Sequence, residues 1–243
     1  MLAKFDAGRI TSDAGALVLR EVAVKSGLFR RLAACIPDPS DAAMIEHDQQ
    51  TLLAQRVLGI ACGWEDLNDY HGLRVDPLMQ LASDRDADQA RPLASPATPC
   101  RLENRVGREA CVKMSELLEE LFIESFDSTP TELALDFDAT DDPIRGDQKG
   151  RFFRGYYDGC CYLRLYVFCG EQLLASYLCP SNLDAARHSR SILKLLVDRL
   201  RRQWPGVKII FRGDSGFCRR KLMRYCDRQG VDAPEQDPHR QHI

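Results

Sequence analysis

Along the first half of the chain the apolar residues fall at helical intervals. From Asp13 to Leu32 the series Ala16, Leu17, Leu19, Val22 and Ala23, with Leu28 and Phe29 beyond Gly27, predicts a helix capped by Ser12 or Asp13. The segment "IPDPSD" breaks the rhythm. A second helix is predicted from Glu46 to Ile60, with Leu52, Leu53, Val57 and Leu58 on one side, followed by turns at Gly63 and "NDYHG" and a short helix at "DPLMQLA". Between Ser83 and Pro99 three prolines and no apolar rhythm predict a loop. Helical spacing returns from Arg105 to Ser125 through Val112, Met114, Leu117, Leu118 and Leu121.

From Thr131 the period changes to two. Leu133, Leu135 and Phe137 alternate with Ala134, Asp136 and Asp138, which predicts a strand. "CYLRLYVFC" and "QLLASYL" predict two more strands, joined as a hairpin at Gly170-Glu171. A helix is predicted from Asp184 to Gln203, capped by Ser181 or Asn182, with Ile192, Leu195, Leu196 and Leu200 on its apolar side. "VKIIF" is a fourth strand and "CRRKLMRYCDRQG" a basic helix. A strand-helix-strand crossover in one sheet makes the fourth strand parallel to the first. Ligands bind beyond the carboxyl ends of parallel strands. Asp138 and Asp214 both fall at that end, so neighbouring strands would turn both carboxylates to one site.

Composition narrows the picture. The 243 residues are 44% hydrophobic and 28% charged, as in soluble globular proteins. No apolar run reaches the length of a membrane span, and "MLAKFDAGRITSDAG" lacks the apolar centre of a secretory signal, so a cytoplasmic location is expected. The ten cysteines include an adjacent pair, Cys160 and Cys161, and no CxxC spacing. They read as reduced, mostly buried side chains, with a zinc site from Cys218, Cys226 and the tail histidines as the weaker alternative. The net charge of -3 conceals an asymmetry: acids exceed bases by twelve from Met1 to Pro143, whereas Arg187 to Arg228 holds thirteen bases against three acids. That basic stretch suits an anionic partner or a solvated helix face.

Two carboxylates at one site repel each other unless a proton or a cation intervenes. A hard divalent ion such as Mg²⁺ prefers carboxylate, water and phosphate oxygens, and such ions activate attack on phosphodiesters. Each aspartate taken alone also suits a turn or a helix cap. Acid hydrolysis of a sugar by two carboxylates would ask for an aromatic pocket, and the chain has only Trp64 and Trp204.

The strings "FDAGRITSDAGALVLRE", "QRVLGIACGWEDLNDYHGLRVDP", "LDFDATDDP", "GYYDGCCYLRLYVFCGEQLLASYLCPSNLDAARH" and "RGDSGFCRRKLMRYCDRQGVD" resemble the IS1380-type transposases of bacterial insertion sequences, from about Phe5 to Val231. The resemblance implies the DDE class: two aspartates and a glutamate hold Mg²⁺ or Mn²⁺, and phosphodiester hydrolysis is followed by strand transfer into target DNA. It implies an α+β chain with a helical N-terminal region over 1–128 that binds DNA ends. A partial ribonuclease H-like catalytic core, a mixed sheet with flanking helices, follows over 129–232, and an aberrant tail over 233–243. Asp138 and Asp214 are the expected catalytic, metal-holding acids, with Asp136 as an additional candidate on the same strand face. Lys194, Arg201, Arg202, Arg212, Arg219, Arg220, Lys221 and Arg224 are the expected DNA contacts. The expected partners are double-stranded DNA, as terminal inverted repeats and target, together with a homodimer or co-assembly with full-length transposase at the nucleoid. Gly213 stands where the family more usually has alanine. The third acid is not matched, and Glu235 lies in the wrong context for it. The chain is therefore expected to be a truncated, inactive or impaired copy. The alternatives are a non-catalytic DNA-end-binding fragment that inhibits the full-length enzyme and a nuclease using Asp138 and Asp214 alone.

Overall fold

A computed structural model describes residues 11, 13–84, 91–144, 146–155, 158–184 and 186–233. The chain divides into two units, residues 1–117 and 118–243, and the division falls within one helix.

In the first unit the described elements are helices α1 (Ala16–Ser26), α2 (Leu28–Cys35), α3 (Gln49–Ala61), α4 (Tyr70–Leu73), α5 (Pro77–Ala82), α6 (Ala97–Arg105) and the start of α7 (Arg108–Glu124). The single helix expected from Asp13 to Leu32 is two. Gly27 takes φ 65° between them, a left-handed conformation that glycine adopts without a Cβ clash and that ends α1. Asp13 does not cap α1, which starts after Gly15 with no side-chain cap; its carboxylate accepts a hydrogen bond from Trp64 Nε1 at 3.2 Å instead. Ser12 lies outside the described residues. Helix α3 starts at Gln49 rather than Glu46 because Asp48 caps it, accepting from Thr51 N at 2.8 Å. The loop expected to Pro99 ends sooner. Helix α6 begins at Ala97 and takes Pro99 into its first turn, where no backbone N–H is required. The helix expected from Arg105 starts at Arg108, after the break at Val106 and Gly107. Two buried groups organise this unit. Gln55 exchanges hydrogen bonds with both backbone groups of Ala94, at 3.0 and 3.2 Å. Tyr70, fully buried, packs against Gly59, where a Cβ would come within 2.3 Å of its hydroxyl.

The second unit holds the rest of α7, strands β1 (Glu132–Pro143), β2 (Phe152–Arg154), β3 (Gly159–Cys169), β4 (Gln172–Pro180) and β5 (Lys208–Gly213), and helices α8 (Ser189–Gln203) and α9 (Arg220–Gln229). Strand β3 pairs antiparallel with β1, β2 and β4, while β5 lies parallel to β1. Beyond β5 a parallel bridge joins Ile210 to Asp232. Four strands in antiparallel pairings, a helix, a strand parallel to the first and a second helix make a mixed five-stranded sheet with flanking helices.

The alternation of β1 sends Leu133, Leu135 and Phe137 into one apolar cluster with Leu165 and Val167 of β3, Leu193, Leu196 and Leu200 of α8, and Leu222 and Cys226 of α9. Each such side chain stabilises the sheet–helix layer by about 1.5–3 kcal/mol. The opposite alternation, with Asp136, Asp138, Arg164 and Arg212, is left exposed or half-buried. Helix α8 starts at Ser189, later than the expected Asp184, because the residues expected to begin it are engaged elsewhere. Ser181 Oγ donates to Phe152 O at 2.7 Å, and Asp184 closes a local turn by accepting from Ala186 N at 2.9 Å. Strand β2 has no period-two run long enough to announce it.

All ten cysteines are free. Among the described residues no group of three or more His, Cys, Asp and Glu side chains is arranged to hold a metal; the zinc alternative for Cys218 and Cys226 calls on the tail histidines, which lie outside these residues. No described helix is long and apolar enough to cross a membrane.

Candidate active site

The parallel register of β1 and β5 sets Asp136 opposite Arg212 and Phe137 opposite Gly213. One step further along both chains come Asp138 and Asp214. Strands of a sheet lie about 5 Å apart, so these acids begin as near neighbours where β5 ends; β1 itself runs on to Pro143, paired with β3, so Asp138 lies within its strand rather than at the expected strand end, and only Asp214 follows one. Alternation puts Asp136, Asp138 and Arg212 on the face that does not carry the apolar core.

Asp214 is held by its own turn. It precedes the 3₁₀ turn Ser215–Phe217, and its Oδ1 accepts from Gly216 N at 2.8 Å. A Cβ on Gly216 would stand 2.9 Å from that oxygen, so the glycine is what lets the carboxylate lie over the turn. Phe217 anchors the turn in the core, its ring meeting that of Phe137 at 6.2 Å. Gly213 is enclosed as well: a Cβ there would meet Phe211 and Phe217 at 3.2 Å, so this glycine has a packing reason beyond backbone freedom. On β1, Asp138 Oδ2 accepts from Thr140 Oγ1 at 3.3 Å. Among the described residues the second oxygen of each carboxylate meets no hydrogen-bond donor.

Asp136 differs from this pair. Its Oδ1 lies 3.8 Å from Arg212 Nη1, in a partly exposed ion pair across the two strands. Arg219, after the Asp214 turn, reaches Asp184 Oδ2 at 3.0 Å and so ties that turn to the segment before α8. Burial alone would raise the Asp184 pKa, but hydrogen bonds from Ala186 N and Arg219 bring it below the usual carboxylate value.

A model of the transposase DDE domain, group 1, matches residues 1–233. The chain belongs to this family. No curated protein matches it. Among solved structures, the Mos1 transposase paired-end complex with left transposon end aligns at 12% identity and a TM-score of 0.30, over 98% of this chain and 63% of that one. A pre-cleavage Mos1 transpososome aligns at 12% identity and a TM-score of 0.29, over 95% and 61%. The Mos1 mariner paired-end complex with Mn aligns at 12% identity and a TM-score of 0.30, over 97% and 62%. The chain thus spans less than two thirds of the length of those chains.

The basic residues of this DDE-family chain fall into two groups. Some already have partners: Lys194 pairs with Asp198 at 2.6 Å, Arg201 donates to the carbonyls of Gln229 and Gly230, and Arg202 Nε donates to Asp198 O. Arg212 and Arg219 hold the carboxylates named above. Arg220, Lys221 and Arg224, by contrast, are exposed on α9 with no ion-pair partner among the described residues. Arg228 extends their stripe by one more turn. Sequence reading passed over it, although its spacing of four from Arg224 was legible. Thr140, Gly216 and Phe217, which set the two acids in place, were likewise visible only as neighbours of the aspartates. Glu235 lies outside the described residues.

Proposed function

We propose that this chain is a DNA transposase of IS1380 type, acting on phosphodiesters at transposon ends and in target DNA. The observation that supports it is the β1–β5 register, from which Asp138, within β1, and Asp214, just past the end of β5, follow as the next step after Phe137 and Gly213. Oxygen donors of this kind fit Mg²⁺ or Mn²⁺, with water and phosphate oxygens to complete the shell. Such an ion supplies charge neutralisation and an activated attacking oxygen. Asp138 and Asp214 would each offer the carboxylate oxygen left free by Thr140 and by Gly216. Arg220, Lys221, Arg224 and Arg228 would lie along a DNA backbone, where each phosphate contact releases a counterion. A DNA substrate places this action at the nucleoid, with paired ends as the reason for a homodimer.

The second reading is a DNA-end-binding chain that does not cut and that co-assembles with a longer transposase. It is favoured by the cationic stripe on α9, whose Arg220, Lys221, Arg224 and Arg228 are exposed with no ion-pair partner among the described residues. Gel shift and cleavage, run side by side on cognate terminal repeats with Mn²⁺, separate the two. Cutting that Asp138→Asn and Asp214→Asn each lower by about a hundredfold or more supports transposase action. Binding without cutting selects the second reading, and neither activity defeats both.

A further inference from the structure

The ion pair between Asp136 and Arg212 has a role that neither strand pattern nor family membership assigns. Asp136 shares a strand face with Asp138, which makes it look like a third ligand for the same cation. Its geometry says otherwise. In the parallel register Asp136 faces Arg212 directly, its Oδ1 is 3.8 Å from the guanidinium, and on the other side it lies beside Phe168 of β3. Arg212 in turn stands two positions before Asp214, the extended residue that follows β5, a rise of roughly 7 Å. Asp138, two positions beyond Asp136 on the same face of β1, lies one diagonal step across the register from Arg212.

A guanidinium on a flexible stem can take up either set of carboxylates, and it binds them by two parallel hydrogen bonds when it does. We propose that Asp136 is a positioning residue: it holds Arg212 low on the sheet and so keeps a built-in cation from occupying the Asp138–Asp214 pair. The chemistry is competition between a guanidinium and a hard divalent ion for the same oxygens. Arg164, a second guanidinium on this face, is held by Asp142 at 2.7 Å further along β1. The inference rests on the reading of Asp138 and Asp214 as metal-holding acids.

The test is Mn²⁺ titration of the full chain, followed by the electron paramagnetic resonance signal of the free ion, with thermal melting recorded for each variant. Asp136→Asn should weaken Mn²⁺ binding about three- to tenfold, and Asp136→Asn combined with Arg212→Gln should return to within about twofold of Arg212→Gln alone. Arg212→Gln by itself should bind at least as tightly as the parent. A direct ligand, or a merely structural residue, gives no such rescue: equally weak binding in Asp136→Asn and the double variant overturns the proposal, as does unchanged binding in Asp136→Asn. Should the parent show no binding that Asp138→Asn and Asp214→Asn remove, the site reading itself fails, which is a different result from failed rescue.

Discussion

The ring of Phe217 meets that of Phe137 nearly edge-on, at 6.2 Å and 66°. The turn that carries Asp214 is thereby fastened to the strand that carries Asp138. Both rings are buried in the cluster shared with α8 and α9, so the backbone on either side of the acid pair is anchored in the core. Phe217→Ala should remove about 3–5 kcal/mol of stability, measured by urea unfolding. The same variant should lose Mn²⁺ affinity at temperatures where it is still folded.

Gly216 gives a finer version of the same dependence. A Cβ would stand 2.9 Å from Asp214 Oδ1, so Gly216→Ala must displace the carboxylate or open the turn. The residue is exposed and away from the core, so the melting temperature should change little. Metal-dependent cleavage should fall by about tenfold or more, as expected when a reacting group is displaced by a fraction of an ångström. Equal kinetics in the two proteins would show that the turn does not set the site.

The stripe on α9 makes a prediction about salt. Replacing Arg220, Arg224 and Arg228 together by glutamine should make the plot of log affinity against log salt shallower by roughly 2–3. Replacing Lys194 and Arg201, which are engaged with Asp198 and with the carbonyls of Gln229 and Gly230, should leave that slope nearly unchanged. Fluorescence anisotropy with a labelled duplex at several salt concentrations reads both.

In the first unit, Gly59→Ala should be severely destabilising, because the added carbon would lie 2.3 Å from the hydroxyl of fully buried Tyr70. A loss of about 2 kcal/mol or more is expected, as for overpacked cores. Tyr70→Phe removes the clashing oxygen and should return part of that loss in the double variant. A double-mutant cycle by chemical denaturation gives the coupling.

Alkaline stability follows from Cys226. Burial pushes its thiol up from 9.0 to about 11. Between those values the unfolded chain gives up this proton while the folded chain keeps it, so the unfolded state binds fewer protons and stability falls as pH rises. The contribution is intact below pH 9 and is lost as pH passes through about 11, a loss on the order of 1–3 kcal/mol. Cys226→Ala should flatten this part of the stability–pH curve.

What the sequence by itself determined is local. Period-two alternation in "LALDFD" and helical spacing in "SILKLLVDRL" are imposed by backbone geometry, which turns residue type directly into buried and exposed faces. Those patterns gave the strands β1, β3, β4 and β5, the helix α8, and the placing of Asp214 just past β5, whereas β1 runs on beyond Asp138 to Pro143. Helix boundaries were less legible wherever a side chain had a partner far along the chain. Asp13 serves Trp64 rather than α1, and Ser181 serves Phe152 rather than α8. Tertiary structure alone decided which strands are neighbours and in what register. It made Asp136 the partner of Arg212, put Phe217 beneath the Asp214 turn, and separated the free cations of α9 from those already bonded. Hydrogen bonds and ion pairs join groups that packing brings together across dozens of residues, and a linear pattern carries no record of that distance.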